Sequence, residues 1–123
     1  MSEKKQLQVE KRMLGNRCCA EEGQISLAPE LAQQISEDIK ILAHPIRLQI
    51  LDLLAGNEGK MCVCDLEEAL PVRQPTISYH LRLLRDAGLI DCERDGLWVY
   101  YFVHREELAT RSVRISDLLS GLV

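Results

Sequence analysis

The strongest constraint on the fold is a change of hydrophobic period at Gly88. Before it, apolar residues recur at helical spacing: Leu31, Ile35, Ile39 and Leu42, then Ile46, Ile50, Leu51, Leu53 and Leu54, then Val63, Leu66 and Leu70, then Ile77, Leu81 and Leu84. After it, Leu89 to Arg94 and Leu97 to Val103 form two short arms rich in β-branched and aromatic residues, and Asp95-Gly96 between them predicts a tight hairpin turn. Pro29 suits a first helical position, and His44-Pro45 ends one helix and opens the next. Pro71-Val72-Arg73 then separates two helices by a break of only three residues. From Glu106 to Leu122 a final helix carries Leu108, Val113, Ile115, Leu118, Leu119 and Leu122.

Helix, helix, helix-turn-helix, two-stranded wing, helix is the order of a winged helix-turn-helix, mainly α with a β wing. A chain of 123 residues has room for one such unit and little room for a catalytic cleft beside its core. The expected division is an N-terminal arm over 1–28, the winged unit over 29–104 and a C-terminal dimerisation helix over 105–123. Apolar surface left over on the first and last helices implies a homodimer, since a lone protomer would expose more contiguous apolar area than monomers tolerate.

The net charge of −4 is not that of a strongly basic nucleic-acid binder, but its distribution is uneven. From Pro71 to Arg85 the charged residues are Arg73, Arg82 and Arg85, with no acid among them. In the helix beginning at Gln74, the residues Ile77, Leu81 and Leu84 face the body. Gln74, Ser78 and Arg82, with Thr76 and Tyr79 beside them, face outward, and Gln, Ser and Arg are side chains that address base edges in a major groove. Arg73 and the wing's Arg94 are expected at phosphates, although Asp95 beside Arg94 weakens the second assignment. His80, between Ile77 and Leu84, reads as a hydrogen-bonded structural histidine. The expected partner is double-stranded operator DNA.

Five cysteines in a chain with neither a secretory signal nor a long apolar run point to a cytoplasmic protein with reduced thiols, without membrane contact. Cys62 and Cys64 open the first helix of the helix-turn-helix. If both were helical they would lie about 100° to either side of the Val63–Leu66–Leu70 stripe, pointing roughly 200° apart. Off-stripe thiols read as ligands rather than core. A helix amino end favours the thiolate, so the ligand form is expected near neutral pH. A single ion would then have to unwind the first turn, or draw the arm onto it, in order to bind both sulfurs. All-sulfur coordination selects soft ions. No Cys-x-x-Cys pair, glycine-rich phosphate loop or nucleophile motif is present, so neither an enzyme nor a resident cofactor is expected.

Three stretches, taken in order, resemble the ArsR/SmtB family of metal-sensing repressors: Leu42 to Leu51, Cys62 to Leu66 and Gln74 to Leu81. The resemblance runs from about Ile39 to Val103. It implies a dimer that holds its operator until a metal or metalloid binds at Cys62 and Cys64. The family's arsenic sensors often carry a third cysteine where this chain has Glu67, which leaves the local site one thiolate short for arsenite. Its cadmium and lead sensors are thought to complete such sites with amino-terminal cysteines, a part open here to Cys18 and Cys19. The family's zinc sensors use histidines of the last helix, and here that helix has none. The expected effector is arsenite, with antimonite alike, and cadmium or lead as the alternative. A thiol-redox regulator using the same cysteines is the rival from another class.

Overall fold

The computed structural model describes residues 26–58 and 61–123. In chain order the elements are α1 (Pro29–Leu42), α2 (Pro45–Gly56), α3 (Val63–Ala69), α4 (Gln74–Asp86), β1 (Ile90–Asp95), β2 (Trp98–Val103) and α5 (Arg105–Gly121). This is the winged helix-turn-helix that the change of period calls for. Cys18, Cys19 and the rest of the expected arm up to residue 25 lie outside the described residues.

Helix starts follow local chemistry. Pro29 and Pro45 stand in the first turns of α1 and α2, where a missing N–H costs nothing. His44 caps α2, its Nδ1 accepting from the Ile46 N–H at 3.1 Å. The core forms where three helical stripes converge. Ile50 and Leu54 of α2, Leu66 of α3, and Ile77, Leu81 and Leu84 of α4 are all essentially inaccessible, joined by Leu89 and Ile90 at the root of the wing. The packing of α3 against α4 across the Pro71–Arg73 break is therefore set by apolar contact.

The wing departs from expectation by one residue. Its antiparallel register runs from Ile90 opposite Val103 to Asp95 opposite Trp98, so the turn residues are Gly96 and Leu97, not Asp95 and Gly96. Gly96 has φ +66°, and Leu97 is not among the residues with positive φ. That is the pattern of a turn whose first central residue must be glycine. The shift has a consequence for charge, because strand side chains alternate between faces. Ile90, Cys92 and Arg94 share the inner face with Val103, Tyr101 and Val99, whereas Asp91, Glu93 and Asp95 share the outer face with Phe102, Tyr100 and Trp98. Arg94 and Asp95 therefore point to opposite sides.

Helix α5 buries none of its residues in the single chain. It packs on α1, and between them Asp38, 2% exposed, accepts a two-point bond from Arg114: Nε to Oδ2 at 3.0 Å and Nη2 to Oδ1 at 3.2 Å. Leu31 and Ile39 of α1 and Val113 and Leu119 of α5 remain exposed on these two helices.

Candidate functional site

The thiol pair is not arranged as the sequence led us to expect. Helix α3 begins at Val63, which leaves Cys62 outside it as the N-cap, with φ −101° and ψ 177°. Its extended backbone swings the side chain back over the first turn, and the Cys62 and Cys64 sulfurs stand 3.4 Å apart. The expected 200° divergence is thus overturned, and with it the need to unwind the helix before one ion meets both sulfurs. Cys62 is also nearly buried, at 9% exposure, while Cys64 is exposed.

Asp65 organises the pair. Its Oδ2 accepts the Cys62 backbone N–H at 3.0 Å, the bond an acid at the third helical position makes with an N-cap amide. The same oxygen accepts from the Cys62 thiol at 3.4 Å. Proximity also changes the acidity expected of the site. The hydrogen bond to Cys62, followed by partial desolvation and the charge of Cys62, holds the Cys64 thiol above its ordinary value. A helix amino end does not by itself make Cys64 a ready thiolate, since a second negative charge 3.4 Å from the first is opposed. A thiophilic centre that bonds both sulfurs takes up that charge as their protons leave.

The thiol site is joined to the wing. The residue before Cys62, Met61, forms an isolated antiparallel bridge with Tyr101 of β2, whose N–H donates to the Met61 carbonyl at 2.8 Å. Sequence reasoning missed both this bridge and Asp65. The second had a visible signal, an acid three residues after a capping position. Among the described residues no cluster of three or more His, Cys, Asp and Glu side chains is arranged to hold a metal ion. Two sulfurs are what this part of the chain supplies.

In the helix-turn-helix, α4 presents the face that the sequence led us to expect at DNA. Arg73, Gln74, Thr76, Ser78, Tyr79 and Arg82 are all exposed, as is Arg94 on the wing. The Arg82 guanidinium lies 5.5 Å from the centre of the Tyr79 ring, a cation–π contact that holds an otherwise mobile side chain along the helix. Ser78, Arg82 and Arg85 line an open cleft of about 400 Å³ whose far wall is Tyr101 of the wing. Arg85 is committed to the wing root, donating from Nε to Asp91 at 3.1 Å. Arg73, Arg82 and Arg94 form no ion pair with another described residue.

Beneath that face His80 is 4% exposed, with Nδ1 3.2 Å from Arg47 Nη1 and its ring 4.3 Å from that of His44. Burial, then the charges of His44 and Arg47, holds its pKa below the ordinary value, which favours the neutral ring. It is a structural histidine, tying α2 to the middle of α4.

A winged helix-turn-helix with a solvent-facing basic reading helix, and a thiol pair at the start of its first helix, defines a class: DNA-binding regulators. Residues 44–91 match the profile of bacterial regulatory proteins of the arsR family. The chain is 44% identical over 79 residues to an arsenical resistance operon repressor of Bacillus subtilis, covering 64% of this chain and 74% of that protein. It is 42% identical over 74 residues to an uncharacterised HTH-type transcriptional regulator of Methanocaldococcus jannaschii, covering 60% of this chain and 82% of that protein. Among solved structures it resembles the homodimeric winged helix-turn-helix DNA-binding domain of a possible ArsR-family regulator from Mycobacterium bovis. There the TM-score is 0.57 and the identity 31%, over 80% of this chain and 90% of that one. The chain belongs to the arsR family of transcriptional repressors. Among the described residues no helix is long and apolar enough to cross a membrane.

Proposed function

We propose that this repressor binds its operator as a homodimer, reads it with α4, and lets go when trivalent arsenic is captured by Cys62 and Cys64. The observation that carries the reading is the 3.4 Å approach of the two sulfurs at the N-cap of α3. A tetrahedral ion with sulfur bonds of ~2.3 Å would set its thiolates about 3.8 Å apart. A trivalent centre with a lone pair has narrower angles and suits the closer spacing, which favours arsenite and antimonite over tetrahedral cadmium. Cys18 and Cys19 are the sulfurs that would fill a third position, Glu67 being no substitute. The arsenical resistance function of the Bacillus subtilis relative supports the same choice.

In this reading the arm over 1–28 brings the completing thiol, residues 29–104 read DNA, and α5 over 105–123 dimerises. Helix α1 shares that last role, because its exposed Leu31 and Ile39 flank the apolar residues of α5. Gln74, Thr76, Ser78, Tyr79 and Arg82 meet base edges and sugar, and Arg73 and Arg94 meet phosphates. Reduced thiols of this kind belong in the cytoplasm. Release follows from the bridge: drawing the Met61–Cys62 segment toward an arm cysteine pulls on Tyr101 of the wing and on the start of α3 together. A 100-fold loss of operator affinity needs about 2.7 kcal/mol of differential binding, inside the ordinary range of coupling between sites.

The test is operator release followed by gel shift. The Cys62→Ser/Cys64→Ser double variant should bind operator as wild type does and ignore arsenite. Release of that variant by arsenite would show the site to be elsewhere. The sulfur approach serves a second reading as well, oxidation of the pair to a disulfide. Arsenite added under excess reductant separates the two, because only the arsenic sensor then responds.

A further inference from the structure

One guanidinium connects the α1–α5 layer to the reading helix. Arg111, in the second turn of α5, donates through Nη2 to the carbonyl of Ala87, the C-cap of α4. Its Nε donates to Glu107 Oε2 at 3.1 Å, and its Nη1 stands 3.7 Å from Asp38 Oδ1 on α1. The side chain is 16% exposed, and Asp38 is 3% exposed. The last carbonyls of a helix have no partner within it, and a cation at that end is favoured by the helix dipole. Here the cation comes from a different helix and is oriented by two carboxylates. The chain leaves α4 through Gly88 at φ +81°, a left-handed residue that turns it sharply beside the guanidinium. The α2 and α3 contacts with α4 are largely apolar and lie along its middle, whereas Arg111 adds a directional bond at its C-terminal end. The bond from Arg47 to His80 is directional but comes from within the winged unit.

We infer that Arg111 is a positioning residue for DNA reading. It transmits the seating of the dimer layer to the tilt of α4, so that both reading helices of the dimer meet the operator in register. The inference rests on α4 being the reading helix and on α1 and α5 being the dimer layer. Two-fold readers need half-sites about one helical turn apart, so a small change of tilt at each helix weakens specific binding. Binding to unrelated sequence depends on phosphate charge and is indifferent to such a tilt.

The experiment uses a duplex enriched from random sequence by the wild-type chain, and a scrambled duplex of the same length. Affinities for both are read by anisotropy, at concentrations where sedimentation shows the protein to be dimeric. Failure of the wild type to enrich any sequence would count against the repressor reading itself. For Arg111→Met we expect operator affinity to fall about tenfold or more while scrambled-duplex affinity stays within about twofold. Arg111→Lys, which keeps one donor to Ala87, should recover part of the loss. Operator affinity unchanged in Arg111→Met, or operator and scrambled affinities falling together, would overturn the inference. Should Arg111→Met not fold, Glu107→Gln loosens one brace at an exposed position. Its operator affinity should fall about threefold with scrambled affinity unmoved, and no change would be equally decisive against us.

Discussion

Removing either partner of the Asp38–Arg114 pair breaks the same bonds, yet the two variants should differ in cost. Arg114→Ala leaves a carboxylate that is 3% exposed, with only the Arg111 guanidinium, 3.7 Å away, still facing it. Breaking a buried pair this way costs about 3–5 kcal/mol, and the surviving Arg111 places the expectation near about 3. Asp38→Ala leaves two arginines instead. Arg114 is 23% exposed and sits at the end of a long stem, so its head can reach water, and Arg111 keeps Glu107 and the Ala87 carbonyl. The loss is then that of charge-assisted bonds partly replaced by hydration, about 1–2 kcal/mol. The assay is equilibrium urea unfolding at one fixed protomer concentration, because a dimer's stability depends on it. A gap of about 1 kcal/mol or more should appear as a midpoint several degrees lower for Arg114→Ala in a thermal melt. If Asp38→Ala proves as damaging as Arg114→Ala, the burial asymmetry does not govern this layer and the reasoning fails.

His80 makes stability pH-dependent in a definite direction. Its folded pKa is held below the ordinary 6.5, so the unfolded chain takes up the proton first as pH falls. Stability due to this group is fully present above about 6.5 and is lost on descending from there toward the lower folded value. His80→Gln, which keeps an acceptor for Arg47, should show a shallower decline over that window, and equal slopes would refute the assignment. On the DNA face, Arg82→Ala should cost about 1–3 kcal/mol of operator affinity and relax sequence preference. Arg94→Ala should weaken all sequences alike and lower the salt slope by about one, as a phosphate contact does. An Arg94→Ala variant with an unchanged salt slope would place the wing's inner face away from the backbone.

Periodicity and punctuation carry far more of this molecule than composition does. The stripes through Ile50, Leu66, Ile77 and Leu84, the prolines at 29, 45 and 71, and Gly88 set the order and ends of the helices, because helix packing and capping are local requirements written in a few residues. The outward set on α4 was legible for the same reason: at 3.6 residues per turn, naming the buried face also names the exposed one. What local rules could not supply was anything depending on where a segment stops being regular. Placing Cys62 one residue outside α3, instead of inside it, turns diverging thiols into a pair 3.4 Å apart. Placing the wing turn at Gly96-Leu97 puts Arg94 and Asp95 on opposite faces.

Asp38 shows the remaining limit. It lies three residues after Ile35, on the apolar stripe of α1, where an acid is a sign of a buried partner. Nothing in the order of residues says that Arg114, 76 positions later, is that partner, or that Arg111 beside it reaches the end of α4. The chain's own pattern therefore determined its class, its elements and the exposed face of α4, since each follows from neighbours within a few turns. Tertiary packing alone decided the meeting of the two sulfurs, their tie to the wing through Met61, and the contact from Arg111 of α5 to the end of α4. Each of these depends on a cap, a register or a contact between distant segments, and those are settled only when the whole chain has packed.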